Sequence, residues 1–258
     1  MRNLLLTLAF DGTAYHGWQV QANAVTVQQT VQDAAERICG RREPLTGCSR
    51  TDAGVHANEY CCTLRTESAI ACETLVQALN ALLPRDIAVS ACREMPAEFH
   101  PRYDCAAKEY VYRIWNAPQK HPFLYKYAYH FKYPLDAGLL HSEAQAYLGT
   151  HDYSAFCAAG GSVEDHVRTV TAAAVEREGD LVIFRVTADG FLYNMVRIMT
   201  GTLLEIAGGK LPQGCIPAIL ASGERGRAGF TAPAHGLFLN HVFYAPEGRG
   251  EENDGREE

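Results

Sequence analysis

Hydrophobic and polar positions alternate from Leu4 to Phe10 with the period of two that predicts a β-strand, and Asp11-Gly12-Thr13 breaks it. A polar and aromatic loop follows, carrying Tyr15, His16, Gly17, Trp18, Gln19 and Gln21. The period then changes to that of a helix. Val27, Val31, Ala34, Ala35 and Ile38 fall on one face, Thr26 and Gln29 form a capping box, and Gly40 ends the run. Strands are expected from Leu45 to Cys48 and from Val55 to Leu64, joined by a turn around Asp52. A helix near Cys72 to Leu83 stops at Pro84, and a strand runs from Ile87 to Cys92. This order, β-α-β-β-α-β, is the split βαβ or ferredoxin-like unit.

The second half repeats the plan with longer insertions. A strand is expected over Tyr110 to Trp115 and a helix from about Ala137 to Leu148. Strands from Thr169 to Val175 and Leu181 to Val186 turn at Gly179-Asp180. A helix from near Tyr193 to Ile206, a short helix from Ile216 to Ala221 and a strand from Leu237 to Tyr244 complete it. The halves share element order but no visible sequence repeat. The expected fold class is α/β of the α+β kind, two ferredoxin-like lobes with a cleft between them. The boundary is expected near residues 100–107, which gives lobes 1–104 and 105–246.

A chain of 258 residues with 47% hydrophobic and 21% charged residues has enough apolar mass for such a core. No apolar run approaches a bilayer span, and the first residues lack the features of a signal peptide, so no membrane association is expected. Nine cysteines are scattered without a C-x-x-C pair, and ten histidines show no H-x-x-x-H pair. Structural zinc and a disulfide framework are therefore not expected, and the cysteines read as small core residues in a reducing cytosol. The net charge of −7 counts modestly against nucleic-acid binding. Residues 247–258 hold six acids and two bases, an acidic tail expected to be disordered. Removing it leaves −3 on the body, so any RNA site must be a local basic cleft.

Four clusters carry candidate chemistry. Gly47-Cys48-Ser49-Arg50-Thr51-Asp52-Ala53-Gly54-Val55-His56-Ala57 sets one carboxylate, Asp52, between a guanidinium and a glycine in a turn. A carboxylate kept ionised by a nearby cation suits nucleophilic or electrostatic catalysis. A simple hairpin turn, with Gly54 at positive φ, explains the segment equally well when it is read alone. In Lys108-Glu109-Tyr110-Val111-Tyr112-Arg113, alternation places Lys108, Tyr110 and Tyr112 on one face, as in any amphipathic surface strand or as a base-stacking tyrosine would need. In Asp189-Gly190-Phe191-Leu192-Tyr193-Asn194-Met195-Val196-Arg197, an arginine follows an apolar helix start. Near a buried aspartate it would lower that group's pKa and orient it. The Asp11 to Gln21 loop is either a folded lid or a set of nucleotide contacts, with Trp18 by itself a packing anchor.

Together these clusters resemble the tRNA pseudouridine synthase A family. The likeness begins at Phe10-Asp11-Gly12-Thr13-Ala14-Tyr15-His16-Gly17-Trp18-Gln19 and runs through the three clusters above to Ala232-Pro233-Ala234-His235-Gly236-Leu237. It spans about nine-tenths of the chain in the family's order, the acidic tail excepted. The resemblance implies that Asp52 is the catalytic aspartate and that Arg50 takes the place of the flipped base. It implies that Tyr110 is the active-site tyrosine and that Arg197 pairs with the catalytic carboxylate. It further implies one continuous, mixed, mostly antiparallel sheet with helices on one side, a cytoplasmic homodimer, and uridines at tRNA positions 38, 39 and 40 in the anticodon arm.

Uridine-to-pseudouridine conversion is an isomerisation that consumes no redox equivalent, phosphoryl donor or water, so no cofactor or metal is expected. The target base must be flipped out, at a cost of roughly a few kcal/mol. Two other readings stay open at this point. A catalytically silent tRNA-binding or tRNA-folding protein would share the scaffold. A nucleoside glycosylase would want a second carboxylate, and no convincing partner for Asp52 is visible.

Overall fold

The structure, a computed structural model, describes residues 1–161 and 163–244. The expected acidic tail at 247–258 lies outside the described residues. The N-terminal half runs β1 (Arg2–Phe10), α1 (Val27–Cys39), β2 (Leu45–Gly47), β3 (His56–Thr66), α2 (Cys72–Leu82) and β4 (Ile87–Met95). Thr26 caps α1 by accepting from Gln29 N at 3.3 Å, and Gly40 closes it in the left-handed region at φ 76°. The second half runs β5 (Cys105–Trp115), β6 (Tyr129–His130), α3 (Ala137–Ala144), β7 (Gly149–Asp152), β8 (Val167–Glu178), β9 (Leu181–Ala188), α4 (Met195–Ala207), α5 (Ile216–Ser222) and β10 (Leu237–Tyr244).

All ten strands form one sheet in the order β4-β1-β3-β10-β5-β9-β8-β7, with β2 against β3 and β6 against β5. Fourth strand, first, third, second: the order β4-β1-β3-β2 of the first half recurs as β10-β5-β9-β8 in the second. The predicted pair of ferredoxin-like units is therefore present, fused edge to edge. Every pairing among the four strands of each unit is antiparallel, while the inserted β6 runs parallel to β5 and the seam between β3 and β10 is parallel. The split of β3 makes the fusion possible. Its residues 62–64 pair with the short β2, and His56 and Ala57 pair with Phe238 and Leu239.

That seam is only two residues long in the ladder, and side chains reinforce it on one face. Asn58 donates to Asn240 at 2.8 Å, Asn240 donates to Glu109 at 2.6 Å, and Arg185 donates to the same Glu109 oxygen at 3.0 Å. On the other face a continuous core joins Val27 and Val31 of α1, Leu75 and Leu79 of α2, Leu140 of α3 and Ile198 and Leu203 of α4. Tyr110, Tyr112 and Ile114 of β5 belong to that core. The surface-strand reading of the Lys108–Arg113 segment thus fails, because both neighbours of β5 are paired and helices cover this face.

Smaller differences from expectation lie in the insertions. The helix expected to Leu148 ends at Ala144 and tightens into a 3₁₀ turn at Gln145–Tyr147. The strands β6 and β7 are two and four residues long, too short to leave a periodic signal. Among the described residues no helix is long and apolar enough to cross a membrane, and all nine cysteines are free thiols.

Candidate active site

Asp52 sits in the loop between β2 and β3, at the level of the seam. The first loop of the chain builds its support. Trp18 N donates to Thr51 O at 3.3 Å, Gly54 N donates to Tyr15 O at 3.2 Å, and Gly12 N donates to His56 Nδ1 at 3.1 Å. Gly17 has φ 81°, and a Cβ there would drive into the Thr51 carbonyl. Trp18 is buried and stacks on Tyr60 at 4.1 Å, and Tyr60 donates its hydroxyl hydrogen to Ser49 O. A Cβ on Gly47 would collide with both rings. The Asp11–Gln21 loop is thus chiefly the cradle of the Asp52 loop, with Trp18 its anchor, rather than a free lid.

The opposite wall comes from the start of α4. Asn194 precedes it in the left-handed conformation, φ 60° and ψ 10°, and is the one non-glycine with positive φ among the described residues. Arg197, one turn into the helix, reaches back across the seam. Its Nη1 donates to Asp52 Oδ2 at 3.0 Å and to Asn194 Oδ1 at 2.6 Å, and its Nε donates to Ala232 O at 2.6 Å. Three acceptors from three segments fix the guanidinium plane. Burial is the larger influence on Asp52 and raises its pKa above the usual aspartate range, while the Arg197 charge and hydrogen bond pull the other way. The pair is partly enclosed, with 17% of the arginine and 23% of the aspartate side chain exposed.

Between the two walls lies a cavity of about 690 Å³, in the size range of small-molecule sites. Asp52, Arg50 and Tyr110 all line it. Tyr110 rises from β5, its hydroxyl 3.3 Å from Ser49 Oγ and its ring edge-on to Phe191 at 5.0 Å between centroids. Burial pushes its phenol well above the ordinary tyrosine value, so the side chain is a neutral surface and hydrogen-bonding group in this state. The four residues singled out in the sequence therefore converge: Arg50, Asp52 and Tyr110 on the cavity wall, and Arg197 behind Asp52.

Three further residues of the motifs quoted above have places in the structure. Asn194 holds Arg197. His56 is buried on the far side, stacked on Phe238 at 4.6 Å with its Nε2 2.9 Å from Lys126 O. Burial lowers its pKa. His235 lies near Tyr129, 6.4 Å between ring centroids, and burial lowers its pKa also. Sequence reasoning missed Ser49 as the partner of Tyr110, the carbonyl of Ala232 and the burial of Lys108, because each depends on contacts distant in the chain.

Comparison with known proteins gives the family of this chain. A family model described as tRNA pseudouridine synthase matches residues 7–104 and 144–245. A protein named tRNA pseudouridine synthase A from Acetivibrio thermocellus is 45% identical over 244 residues, covering 95% of this chain and 100% of its own. One of the same name from Thermoanaerobacter pseudethanolicus is 42% identical over 244 residues, with 95% and 100% covered. A Clostridium tetani protein named tRNA pseudouridine synthase A 2 is 43% identical over 245 residues, with 94% and 99% covered. The likeness thus runs through both halves of the sheet and both walls of the cavity, and the chain belongs to the tRNA pseudouridine synthase family.

Proposed function

We propose that this member of the family isomerises uridine to pseudouridine at positions 38, 39 and 40 of the tRNA anticodon arm, with Asp52 as the catalytic carboxylate. The observation that carries the reading is the Asp52–Arg197 ion pair closing the base of the cavity. The uridine swings out of the anticodon arm and its uracil enters beside Tyr110, while Arg50 fills the vacated place in the stack. The N1–C1′ bond breaks with its electron pair going to the uracil. Asp52 either bonds to C1′ or assists loss of a ribose proton. The uracil turns, C5 bonds to C1′, and the C5 proton leaves as N1 regains one. Substrate and product are isomers, so no cofactor enters the balance.

Arg197 holds Asp52 available as an anion in a site whose burial favours the neutral acid. Tyr110 packs on the base. Its raised pKa opposes use as a free phenolate, so Tyr110 serves as a neutral ring surface and a hydrogen-bonding hydroxyl beside Ser49 rather than as the base for the C5 proton. The resemblance supports a cytoplasmic homodimer and the division into lobes 1–104 and 105–246. The exposed Phe123, Tyr125 and Tyr133 offer apolar surface for self-association, which sedimentation analysis tests.

The deciding experiment incubates the protein and its Asp52→Ala variant with unmodified tRNA transcripts and maps pseudouridine by carbodiimide labelling. Conversion at 38–40 by the wild type alone is expected. Binding without conversion by the wild type would favour the silent tRNA-binding protein, and release of free uracil a glycosylase.

A further inference from the structure

Lys108 is a lysine where a lysine is costly. It lies on β5 two residues before Tyr110, on the same face, and only 6% of it is exposed. Its neighbours along that face are Tyr110, Tyr112 and Ile114, all members of the core. Among the described residues no carboxylate forms an ion pair with its ammonium and no side chain or carbonyl accepts a hydrogen bond from it. Interior charges are normally paired, because removing them from water is costly. What the residue does have is the cavity, since Lys108 lines it together with Asp52, Tyr110 and Arg50.

We infer that Lys108 is a further catalytic residue, the cation that faces the flipped uracil and stabilises the negative charge that base acquires as it leaves the sugar. The inference rests on the function proposed above. When the N1–C1′ bond breaks, the electron pair passes to the uracil and spreads over its ring and the O2 and O4 oxygens. The same pair's worth of electrons returns when C5 bonds to C1′, and the C5 proton is exchanged for one on N1. Between these events the cleft holds a uracil anion with no counter-ion of its own. Asp52 is negative and Arg197 is committed to Asp52, Asn194 and Ala232. A preorganised ammonium on the cavity wall is the group best suited to the developing charge.

The depth of Lys108 favours the base over the RNA backbone as its partner. Phosphates of a flipped nucleotide stay at the surface, where Arg102 and Arg168 also border the cavity and are exposed or half-exposed. A lysine almost wholly enclosed beside Tyr110 meets what goes deepest, which is the uracil.

The test uses full-length protein and an anticodon stem-loop RNA, with Lys108→Met, Lys108→Gln and Lys108→Arg. Methionine nearly matches the lysine stem in volume and removes only the charge, so Lys108→Met is expected to keep or raise the melting temperature. It is expected to lower single-turnover kcat about 10²–10³-fold with KM within about threefold, and Lys108→Arg to recover part of the rate. A large rise in KM with unchanged kcat and a shallower salt dependence would instead make Lys108 a phosphate contact and overturn the inference. So would wild-type turnover in Lys108→Met, or melting temperatures lowered alike in the Met and Gln variants. Wild type is run on the same RNA: if it forms no pseudouridine, the parent reading fails, whereas an active wild type with an indifferent Lys108 defeats this inference alone.

Discussion

Arg197 meets Asp52 at 3.0 Å although 145 residues separate them in the chain. The contact crosses the seam of the sheet and sets two opposed influences on one carboxyl: burial favours the neutral acid and the guanidinium favours the anion, with burial the stronger. If the reaction needs the anion, the acid limb of kcat/KM lies above the usual aspartate range, and activity falls as pH drops through that raised value. Arg197→Met removes the opposing influence, so its acid limb moves further up in pH and activity at neutrality falls with it. Stability follows the other sign. A folded-state pKa above the unfolded one means the contribution from Asp52 is fully present at low pH and is lost as pH rises through the folded value. Asp52→Asn is accordingly expected to lose at least about 10³-fold in turnover, while its melting temperature at neutral pH is kept or raised, because the amide stands in for the neutral acid. Rate–pH profiles and thermal melts of the three proteins check both signs.

Much of this was legible in the chain because it is local. Thr26, Gly40 and the alternation through Lys108, Tyr110 and Tyr112 each fix their own few residues, and the structure has them in those roles; of the expected capping box the Thr26 half forms, its hydroxyl accepting from Gln29 N. The order of elements sufficed for two ferredoxin-like units. What could not be read is what the seam creates. Arg50 and Arg197 both looked like company for Asp52, and only the docking of α4 puts Arg197 in contact with it. The first loop looked like a lid because its aromatic and amide residues suit either role. Its main-chain bonds to Thr51 and Gly54 decide the matter, and sequence does not display main-chain bonds.

Asn194 offers a separation of backbone from side chain. Asn194→Gly keeps the left-handed backbone and loses Oδ1, whereas Asn194→Ala loses Oδ1 and strains the turn. Both are expected to lower kcat/KM about tenfold through a looser Arg197, one lost charge-assisted bond being worth about 1.5–3 kcal/mol. The alanine variant should be less stable than the glycine variant by about 1 kcal/mol, read from urea titrations.

Gly17 tests the cradle. At φ 81° with the Thr51 carbonyl against it, Gly17→Ala incurs both a backbone penalty and a clash. A loss of about 2–4 kcal/mol in urea unfolding is expected. Because the displaced atom belongs to the residue before Asp52, turnover should fall more than the folded fraction does. A variant that loses stability but keeps full turnover per folded molecule would mean the loop does not position Asp52.

Among the described residues two buried side-chain oxygens lack a hydrogen-bond partner, Thr51 Oγ1 and Asn3 Oδ1, and they should respond in opposite directions. The Thr51 hydroxyl is shut away beside Asp52 with no partner, so the folded state carries its desolvation without return. Thr51→Val keeps the shape and removes the polar group, and is expected to raise stability by about 1 kcal/mol, or about 2–4 °C in melting temperature. Asn3 is different because its amide nitrogen is in use, donating to Pro96 O at 3.0 Å and to Phe99 O at 2.9 Å. Asn3→Leu would remove one idle acceptor and strand two carbonyls that hold the end of β4 and the start of the crossing to β5. A loss of about 1–3 kcal/mol is expected there. Calorimetry on the two variants decides the matter: the same sign in both would mean that the idle oxygen alone, and not the bonds around it, governs each site.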